Sequence, residues 1–262
     1  MGELWFVGAG LGDDQDLSRR ALNELKGCDL VFAETYTAIL AEGSIARLSR
    51  EIGRPIQVLA RLEVEGEQVV LEALAAHPKV ALLVVGDPFA ATTHVALRLA
   101  AERAGHTWRY LPNASILTAA ASFLGLIHYR FGRTVSLPFP SPGFAPRSPL
   151  DVMGQNRSQN LHTLVLLDLR PDEASFLTAE VALKLIEAQD PEGTVLPLGA
   201  RIAVVARVGS ASAQGWVGTR RSLQRVDFGS PLHALVVLAA ELHFEEVAAL
   251  QRYEVPEGVG SS

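Results

Sequence analysis

Apolar and polar positions along the chain form blocks that predict alternating strands and helices. The most prominent block, Val80–Val85, is a continuous apolar run rich in β-branched residues, which is typical of a strand buried on both faces. Gly86 and Pro88 cannot extend this strand. Asp87 is therefore predicted at its carboxyl end, the position at which open α/β sheets bind ligands. The alternative for Asp87 is a cap on the helix that is predicted to open at 92–94.

The first 112 residues repeat an order of strand followed by helix. The predicted strands are Leu4–Val7, Leu30–Ala33, Ile56–Leu59, Val80–Val85 and Trp108–Leu111. The predicted helices are one capped by Asp16 that carries Leu17 to Leu25, one over Ile39–Arg50, one over Gln68–Ala76, and one that ends at Ala104 before Gly105. This alternation predicts a mainly parallel, doubly wound sheet.

A short polar link at 113–115 is the expected domain boundary, and Ser115 there can cap an apolar helix over Ile116–Ile127. The prediction is therefore two α/β domains, 1–112 and 113–262, with a mixed sheet in the second. Its predicted strands are Thr134–Leu137, Leu161–Leu169, Ile202–Ala206 and His233–Leu238, and its predicted helices are Leu150–Asn160, Ala179–Ala188 and Glu241–Gln251. Gly215–Val217 and Arg220–Val226 predict a hairpin-like excursion, and a Pro-rich loop is expected over Leu137–Pro149.

Composition excludes several classes of protein. A chain of 262 residues with 48% hydrophobic residues can form two cores, and a net charge of −6 is unlike that of a nucleic-acid binder. Cys28 is the single cysteine, so no intrachain disulfide can form, and a reducing cytoplasm is the expected location. The longest uncharged span, Tyr110–Tyr129, is too polar for the hydrocarbon of a membrane, and no secretory signal is expected.

The opening of the chain imitates a dinucleotide-binding fingerprint. A strand is followed by Gly8-Ala-Gly-Leu-Gly12, and the second strand is followed by an acidic residue, Glu34. However, Asp13, Asp14 and Asp16 place negative charge where a pyrophosphate would meet the helix N-terminus. The glycines are therefore expected to form a tight turn or to let a different ligand approach the backbone.

Several familiar catalytic patterns are missing, including Walker A, His-Glu-x-x-His and Gly-x-Ser-x-Gly. The seven histidines lack ligand spacing, so no metal is expected. The remaining candidates are the predicted strand ends and their neighbours: Leu11, Asp87, Ser115, Leu167, the Val208-Gly209 turn and His233. Glu34 and Tyr36 are expected at a solvated strand end, with contact to a substrate amine as the alternative.

Six segments resemble one known family. They are Phe6-Val-Gly-Ala-Gly-Leu-Gly-Asp-Asp, Cys28-Asp-Leu-Val-Phe-Ala-Glu-Thr-Tyr-Thr37, Gly86-Asp-Pro-Phe-Ala-Ala-Thr-Thr-His94, Ala114-Ser-Ile116, Leu161-His-Thr-Leu-Val-Leu-Leu-Asp168 and Asp227-Phe-Gly-Ser-Pro-Leu-His233. In this order they resemble the diphthine synthases, which belong to the tetrapyrrole-methylase-like class of S-adenosylmethionine (SAM) methyltransferases. Gly-Asp-Pro marks the wider class, whereas the Phe-Ala-Glu-x-Tyr-Thr and Asp-Phe-Gly…His segments point to this family.

The resemblance implies a SAM cleft between two α/β domains, within a homodimer. It implies cofactor contacts at Leu11, Asp87, Ala90, Ser115, Ile116, Leu167, Val208 and His233, with Leu166 competing with its neighbour. It also implies the substrate, translation elongation factor 2 bearing a histidine extended by a 3-amino-3-carboxypropyl group. The amino group of that extension would be trimethylated to give diphthine, and the Pro-rich loop would be a candidate docking element.

Other functions remain open alternatives. A sibling methyltransferase would act on a tetrapyrrole or an RNA ribose, and the acidic composition disfavours RNA. A protein that binds a nucleotide-like ligand without catalysis belongs to a different class, and turnover of SAM would separate it from an enzyme. A nicotinamide dehydrogenase is disfavoured by the acidic residues after the glycine turn.

Overall fold

Five parallel strands form the first sheet. Their spatial order is Ile56–Leu59 (β3), Leu30–Glu34 (β2), Lys79–Val84 (β4), Glu3–Gly8 (β1) and Thr107–Leu111 (β5). The register pairs Gly8 of β1 with Val84 of β4, so the carboxyl ends of the two central strands coincide. The parallel sheet predicted from the alternating pattern is confirmed. The computed structural model describes residues 1–40, 45–141, 146–170 and 175–257.

Helices cover both faces of this sheet. They are Arg19–Lys26 (α1), Ile45–Ile52 (α2), Arg61–Glu65 (α3), Gln68–Ala76 (α4) and Val95–Arg103 (α5). Phe6, Phe32 and Leu82 lie in one apolar cluster, with residues of α3, α4 and α5, whereas Val31 and Leu83 lie in another, with residues of α1 and α2. Alternate residues of each strand therefore point into different cores, as a doubly wound sheet requires.

Two of the helices that pack on this sheet, α1 and α2, begin differently from the prediction. Asp16 does not cap α1, because the Ser18 hydroxyl accepts the hydrogen bond from the Ala21 backbone N–H at 3.0 Å. The helix predicted from Ile39 is described over Ile45–Ile52. Ile39 itself is not helical, and residues 41–44 lie outside the described residues. The predicted bounds of α4, by contrast, are confirmed.

The second sheet is mixed, as predicted. Its spatial order is Gln214–Thr219 (β11), Arg201–Ala206 (β10), His233–Val237 (β12), Thr163–Leu167 (β7) and Val135–Leu137 (β6). The β6–β7 pair is parallel and the other pairs are antiparallel. A short antiparallel pair, Leu169–Arg170 (β8) with Ser175–Phe176 (β9), was not predicted.

The remaining helices are Ile116–Leu124 (α6), Ser148–Ser158 (α7), Ala179–Gln189 (α8), Arg220–Leu223 (α9) and Phe244–Leu250 (α10). The predicted second arm of a hairpin, Arg220–Val226, is wrong. Its first half is the helix α9, with the Thr219 hydroxyl accepting a hydrogen bond from the Ser222 N–H at 3.3 Å. The Pro-rich loop also ends before Pro149, which lies in the first turn of α7, where a missing N–H costs nothing. Residues 142–145 of that loop lie outside the described residues.

The helix α6 ends three residues before the predicted Ile127. Gly125 follows it with a φ of +73°, a conformation that favours glycine at a helix end. A Cβ at this position would lie 2.5 Å from the Ala249 Cβ, so the close approach to α10 also requires glycine. The helix therefore ends where the backbone must turn left-handed.

The described residues divide into two compact units. The first contains residues 1–116 and Gly209–Ala211, and the second contains the rest. The domain boundary between residues 112 and 113 stays a prediction. Among the helices that the structure describes, none has both the length and the apolar character needed to cross a membrane.

Candidate functional site

Two turns meet at the carboxyl edge of the first sheet. The Gly86 N–H donates to the Gly10 carbonyl at 2.8 Å, and the Gly10 N–H donates back to the Gly86 carbonyl at 3.4 Å. Both glycines have φ near +80° (81° and 78°), which other residues rarely adopt. The glycine turn after β1 and the Gly-Asp-Pro turn after β4 are thereby fixed to each other, and the predicted residues Leu11 and Asp87 lie on adjoining turns.

The glycine turn already holds a carboxylate. One oxygen of Asp16 accepts hydrogen bonds from the N–H groups of Leu11 at 3.1 Å and Gly12 at 2.7 Å. These are N–H groups that a pyrophosphate would need. The structure therefore agrees with the interpretation that this turn is not a phosphate cradle, and it explains why Asp16 does not cap α1.

Asp87 is held from two sides. Its Oδ1 accepts a hydrogen bond from the Phe89 N–H at 3.0 Å, and its Oδ2 accepts one from the Tyr110 hydroxyl of β5. Burial, together with the neighbouring Asp87 carboxylate, raises the pKa of Tyr110 to about 12, so this hydroxyl stays a donor at neutral pH. The alternative of a helix cap for Asp87 is wrong, because α5 begins only at Val95. Ala90 is half-buried in the same turn, where its N–H donates to the Asp87 carbonyl at 3.2 Å.

Asn113 was not among the predicted site residues. Its side-chain amide donates to the carbonyls of Gly8 and Asp16, each at 3.0 Å, so it connects the link after β5 to the glycine turn. The predicted residues Ser115 and Ile116 follow after Ala114 and are both half-buried. The signal in the sequence was a polar residue two positions after the end of the fifth strand, at the same sheet edge as Asp87.

Three predicted residues lie at one edge of the second sheet. His233, the first residue of β12, pairs with Ala206 at the end of β10, and Val208 follows that end. Leu167 ends β7, which runs antiparallel to β12. The structure therefore brings Leu167, Val208 and His233 to the same edge.

Leu166 and Leu167 differ in what they offer a ligand. The Leu167 side chain lies in the core of the second unit and is 7% exposed, whereas Leu166 is half-exposed. The predicted Leu167 contact therefore requires its backbone atoms, and a side-chain contact at this strand end would come from Leu166.

His233 carries a buried donor that needs a partner. Its Nδ1 accepts a hydrogen bond from the Ala179 N–H at 3.2 Å, so a neutral ring carries its proton on Nε2. Burial lowers the pKa of His233 and so favours that neutral ring, and the Arg207 guanidinium adds to this effect. The carbonyls of Phe228 and Ser230 lie near enough to oppose the shift.

Despite these carbonyls, the buried Nε2 of His233 has no hydrogen-bond partner of normal geometry in the part of the chain that the structure describes. A buried N–H without an acceptor is costly, and a ligand with an acceptor atom would satisfy it. His233 therefore fits a polar cofactor such as the one that the resemblance implies.

Glu34 differs most from its prediction. It ends β2 and was expected to be solvated, but it is 1% exposed. The turn that follows it supplies the reason, because the N–H groups of Tyr36 and Thr37 both donate to its carboxylate at 3.0 Å.

No arrangement of three or more His, Cys, Asp or Glu side chains suited to a metal ion occurs among the described residues.

Comparisons with known proteins give a consistent result. Residues 3–224 match the family of Tetrapyrrole (Corrin/Porphyrin) Methylases. The chain is 41% identical over 247 residues to the diphthine synthase of Methanothermobacter thermautotrophicus, covering 93% of this chain and 92% of that protein. It is 38% identical to the diphthine synthase of Methanoregula boonei, covering 95% and 98% of the two chains. A crystal structure of diphthine synthase superposes with a TM-score of 0.88 at 35% identity, covering 97% and 96%.

Proposed function

The chain belongs to the tetrapyrrole methylase family, and within it to the diphthine synthases, and from this membership we propose the reaction that it catalyses. The protein is a methyltransferase of diphthamide biosynthesis. It transfers methyl groups from SAM to the amino group of the 3-amino-3-carboxypropyl-modified histidine of translation elongation factor 2, and trimethylation gives diphthine. The observation that carries this proposal is the 41% identity with a diphthine synthase over nearly the whole of both chains.

SAM, when bound, supplies an electrophilic methyl group on a sulfonium. We propose that its contacts in the first unit are Leu11, Asp87, Ala90, Ser115 and Ile116, and in the second unit Leu167, Val208 and His233. Two observations support this assignment. The Asp87 carboxylate is oriented by hydrogen bonds from the Phe89 N–H and the Tyr110 hydroxyl, and the buried Nε2 of His233 needs an acceptor.

Methyl transfer from a sulfonium to an amine is an in-line displacement. It depends on alignment of the two reactants and on a neutral amine, and it needs no covalent enzyme intermediate. The chain's part is therefore to bind, to orient and to accept a proton. This agrees with the lack of a Ser-His-Asp pattern in the sequence.

The oligomeric state and location are also proposals. We propose a homodimer in the cytoplasm, in line with the family resemblance and with the single buried cysteine. Burial raises the pKa of the Cys28 thiol to about 11, so it carries little thiolate at neutral pH and is suited to a structural position.

Labelled methyl transfer tests the proposed reaction. The purified protein is incubated with methyl-labelled SAM and an extract of cells that lack the corresponding methyltransferase. Label in one protein band of elongation-factor size supports the assignment. Label in RNA or in small molecules would favour a sibling methyltransferase, and no label in an extract that contains the acceptor would favour a binding protein.

The unpartnered donor of His233 gives a binding prediction. In His233→Asn the side-chain oxygen can still accept from the Ala179 N–H, but the Nε2 donor is gone. We expect SAM to bind about tenfold more weakly, as the loss of one buried hydrogen bond implies. Isothermal titration calorimetry measures the effect, with the exposed His128→Asn as the matched control. Equal affinities for the two variants would contradict the proposed contact.

A further inference from the structure

A buried acid–base cluster lies beside the Gly-Asp-Pro turn and is used by none of the proposed cofactor contacts. It consists of Glu34 and Tyr36 at the end of β2, with Thr37, and of His94 directly before α5. Glu34 and His94 are each 1% exposed. The Glu34 carboxylate also accepts a hydrogen bond from the Thr37 hydroxyl. Its position is thus fixed by three donors from one turn.

The hydrogen bonds of His94 fix its tautomer. Its Nδ1 lies 2.8 Å from the Pro88 carbonyl, which can only accept, so the ring carries a proton on Nδ1. A neutral ring then has its lone pair on Nε2. That atom lies 3.4 Å from the Tyr36 hydroxyl and 3.9 Å from Oε1 of Glu34. His94 is therefore arranged to accept a proton from Tyr36 and to hold it next to a carboxylate.

Tyr36 forms the outer end of the cluster. It is half-buried, and its ring packs edge-on against His94 with 6.3 Å between the ring centroids. Its hydroxyl also contacts Thr93, which is exposed. Burial, with the charges of Glu34 and Glu65, raises the pKa of Tyr36 well above its usual range. The Tyr36 hydroxyl therefore stays protonated at neutral pH. It is suited to give its proton to His94 while it receives another, so that it does not remain ionised.

The charges around the cluster favour a cationic group. A cavity of about 300 Å³ next to His94 is lined by residues that include Glu65, Glu67 and Thr93. The Arg61 guanidinium lies 6.0 Å from the centre of the Tyr36 ring. Among the described residues, Glu34, Glu65 and Arg61 act on Tyr36, and Glu65 and Glu67 line the cavity next to His94. Arg61 is paired with Glu65 at 2.9 Å, which leaves Glu34 and Glu67 as carboxylates in excess. An ammonium group would be attracted to such a surface.

We propose that Tyr36 and His94, with Glu34 behind them, form the proton relay that removes a proton from the substrate amine before each methyl transfer. This inference rests on the proposed function. In this relay the Tyr36 hydroxyl oxygen would contact the amine, so Tyr36 would be the catalytic residue. His94 and Glu34 act through it.

The relay conserves protons and electrons. An N–H bond of the ammonium breaks and its proton passes to the Tyr36 oxygen, while the Tyr36 hydroxyl proton passes to Nε2 of His94. The imidazolium that forms faces the Glu34 carboxylate. The amine lone pair then forms the new N–CH₃ bond as the S–CH₃ bond breaks, and the electron pair of that bond stays on sulfur.

The relay meets a chemical need. An alkyl ammonium with a pKa of about 10, like that of lysine, has only about one molecule in a thousand neutral at pH 7. A general base in the right place typically accelerates such a step by about 10²–10⁴-fold. The same chemistry also predicts that the need for a base disappears as the pH of the solution approaches the pKa of the amine.

Two variants separate the relay from a structural role. Tyr36→Phe removes only the hydroxyl. His94→Asn keeps a side-chain donor for the Pro88 carbonyl but has no atom in the position of Nε2. Tyr129→Phe, at a tyrosine that is 95% exposed, is the matched control. Thr92→Val tests the turn itself, because it removes the other donor to the Pro88 carbonyl, at 2.6 Å, and leaves the relay intact.

The measurement is the single-turnover rate of the first methyl transfer at saturating SAM, from pH 6 to pH 9.5. We expect Tyr36→Phe and His94→Asn to lower the rate about 100-fold at pH 7, with the loss shrinking as the pH rises and with the affinity for SAM unchanged. A loss of equal size at every pH, or a loss matched by Thr92→Val, would show that the cluster only shapes the turn. If the wild type transfers methyl groups and the variants do so at the same rate, the relay is overturned but the proposed function stands. If the wild type transfers no methyl group, the proposed function fails as well.

A spectroscopic readout tests the same geometry without turnover. ¹⁵N-edited NMR of histidine-labelled protein, with the His94 signals assigned by their absence in His94→Asn, reports which ring nitrogen carries the proton. We expect His94 to carry it on Nδ1 at neutral pH, with the Nε2 signal shifted in Tyr36→Phe. A proton on Nε2 would contradict the relay, because Nε2 could not then accept from Tyr36.

Discussion

Gly12→Ala is expected to destabilise the first unit by about 3 kcal/mol, the upper range for forcing extra atoms into a packed site. A Cβ at this position would lie 2.4 Å from the Gly209 carbonyl oxygen and 3.2 Å from Oδ2 of Asp16. The first neighbour is backbone, so rotation of a side chain cannot relieve the clash. The N–H of Gly12 also donates to Asp16, and a shift of the turn would break that hydrogen bond.

Because Leu11 precedes Gly12, the same substitution is expected to weaken SAM binding more than tenfold. Urea denaturation and calorimetric titration with SAM measure the two effects. Gly27→Ala is the matched control, since a Cβ there meets its nearest neighbour at an ordinary 3.5 Å. If Gly12→Ala and Gly27→Ala unfolded at the same urea concentration, the close approach to Gly209 would be wrong.

Glu246→Ala is expected to destabilise the second unit by about 3–5 kcal/mol, the cost of breaking a buried ion pair by removing one partner. The Glu246 carboxylate is fully buried and accepts hydrogen bonds from the N–H groups of Ile127 and His243, each at 3.0 Å. It also pairs with the Arg130 guanidinium and lies 3.0 Å from Nε2 of His162. Alanine would leave all four of these donors without their acceptor.

Thermal or urea unfolding measures this loss. Glu245→Ala is a close control, because the neighbouring carboxylate is 69% exposed and its removal is expected to change stability by about 0.5 kcal/mol or less. A Glu246→Ala protein as stable as Glu245→Ala would show that the buried network contributes nothing to the fold.

The pH dependence of this stabilisation follows from the pKa of Glu246. Burial alone would raise that pKa, but hydrogen bonds from Ile127, His243 and His162 outweigh burial and hold it below its usual range. The stabilisation is therefore complete above the unfolded pKa of about 4.3 and is lost as the pH falls through the lower, folded value. We expect the difference in unfolding free energy between the wild type and Glu246→Gln to be constant from pH 6 to pH 8 and to shrink below about pH 4.

The apolar pattern predicted the fold well where burial alone decides the structure. The strands β3 and β4 and the helix α4 were all predicted from this pattern, because continuous or periodic apolar runs must face a core. The apolar pattern failed where a short polar side chain can form hydrogen bonds with more than one partner. Asp16 was expected to cap a helix, but the N–H groups of the glycine turn bind its carboxylate, and Ser18 caps the helix in its place.

The candidate site was predictable only in part, for the same reason. Strand ends such as Asp87 and His233 can be located in the sequence, because the apolar runs beside them mark the strands. The burial of Glu34 was not visible, since its partners are backbone N–H groups of a local turn and a histidine 60 positions further along the chain. Asn113 was missed because its hydrogen bonds join segments that are far apart in sequence.

Mass spectrometry of elongation factor 2 after reaction tests the central claim most directly. Elongation factor 2 that carries the 3-amino-3-carboxypropyl histidine is incubated with the purified protein and SAM, and the modified peptide is fragmented. The proposed function predicts added methyl groups on the amino nitrogen of the side chain, up to the trimethylammonium, and none on factor that lacks the modification. An acceptor that stays unmethylated while SAM is bound, or methyl groups at another position, would contradict it.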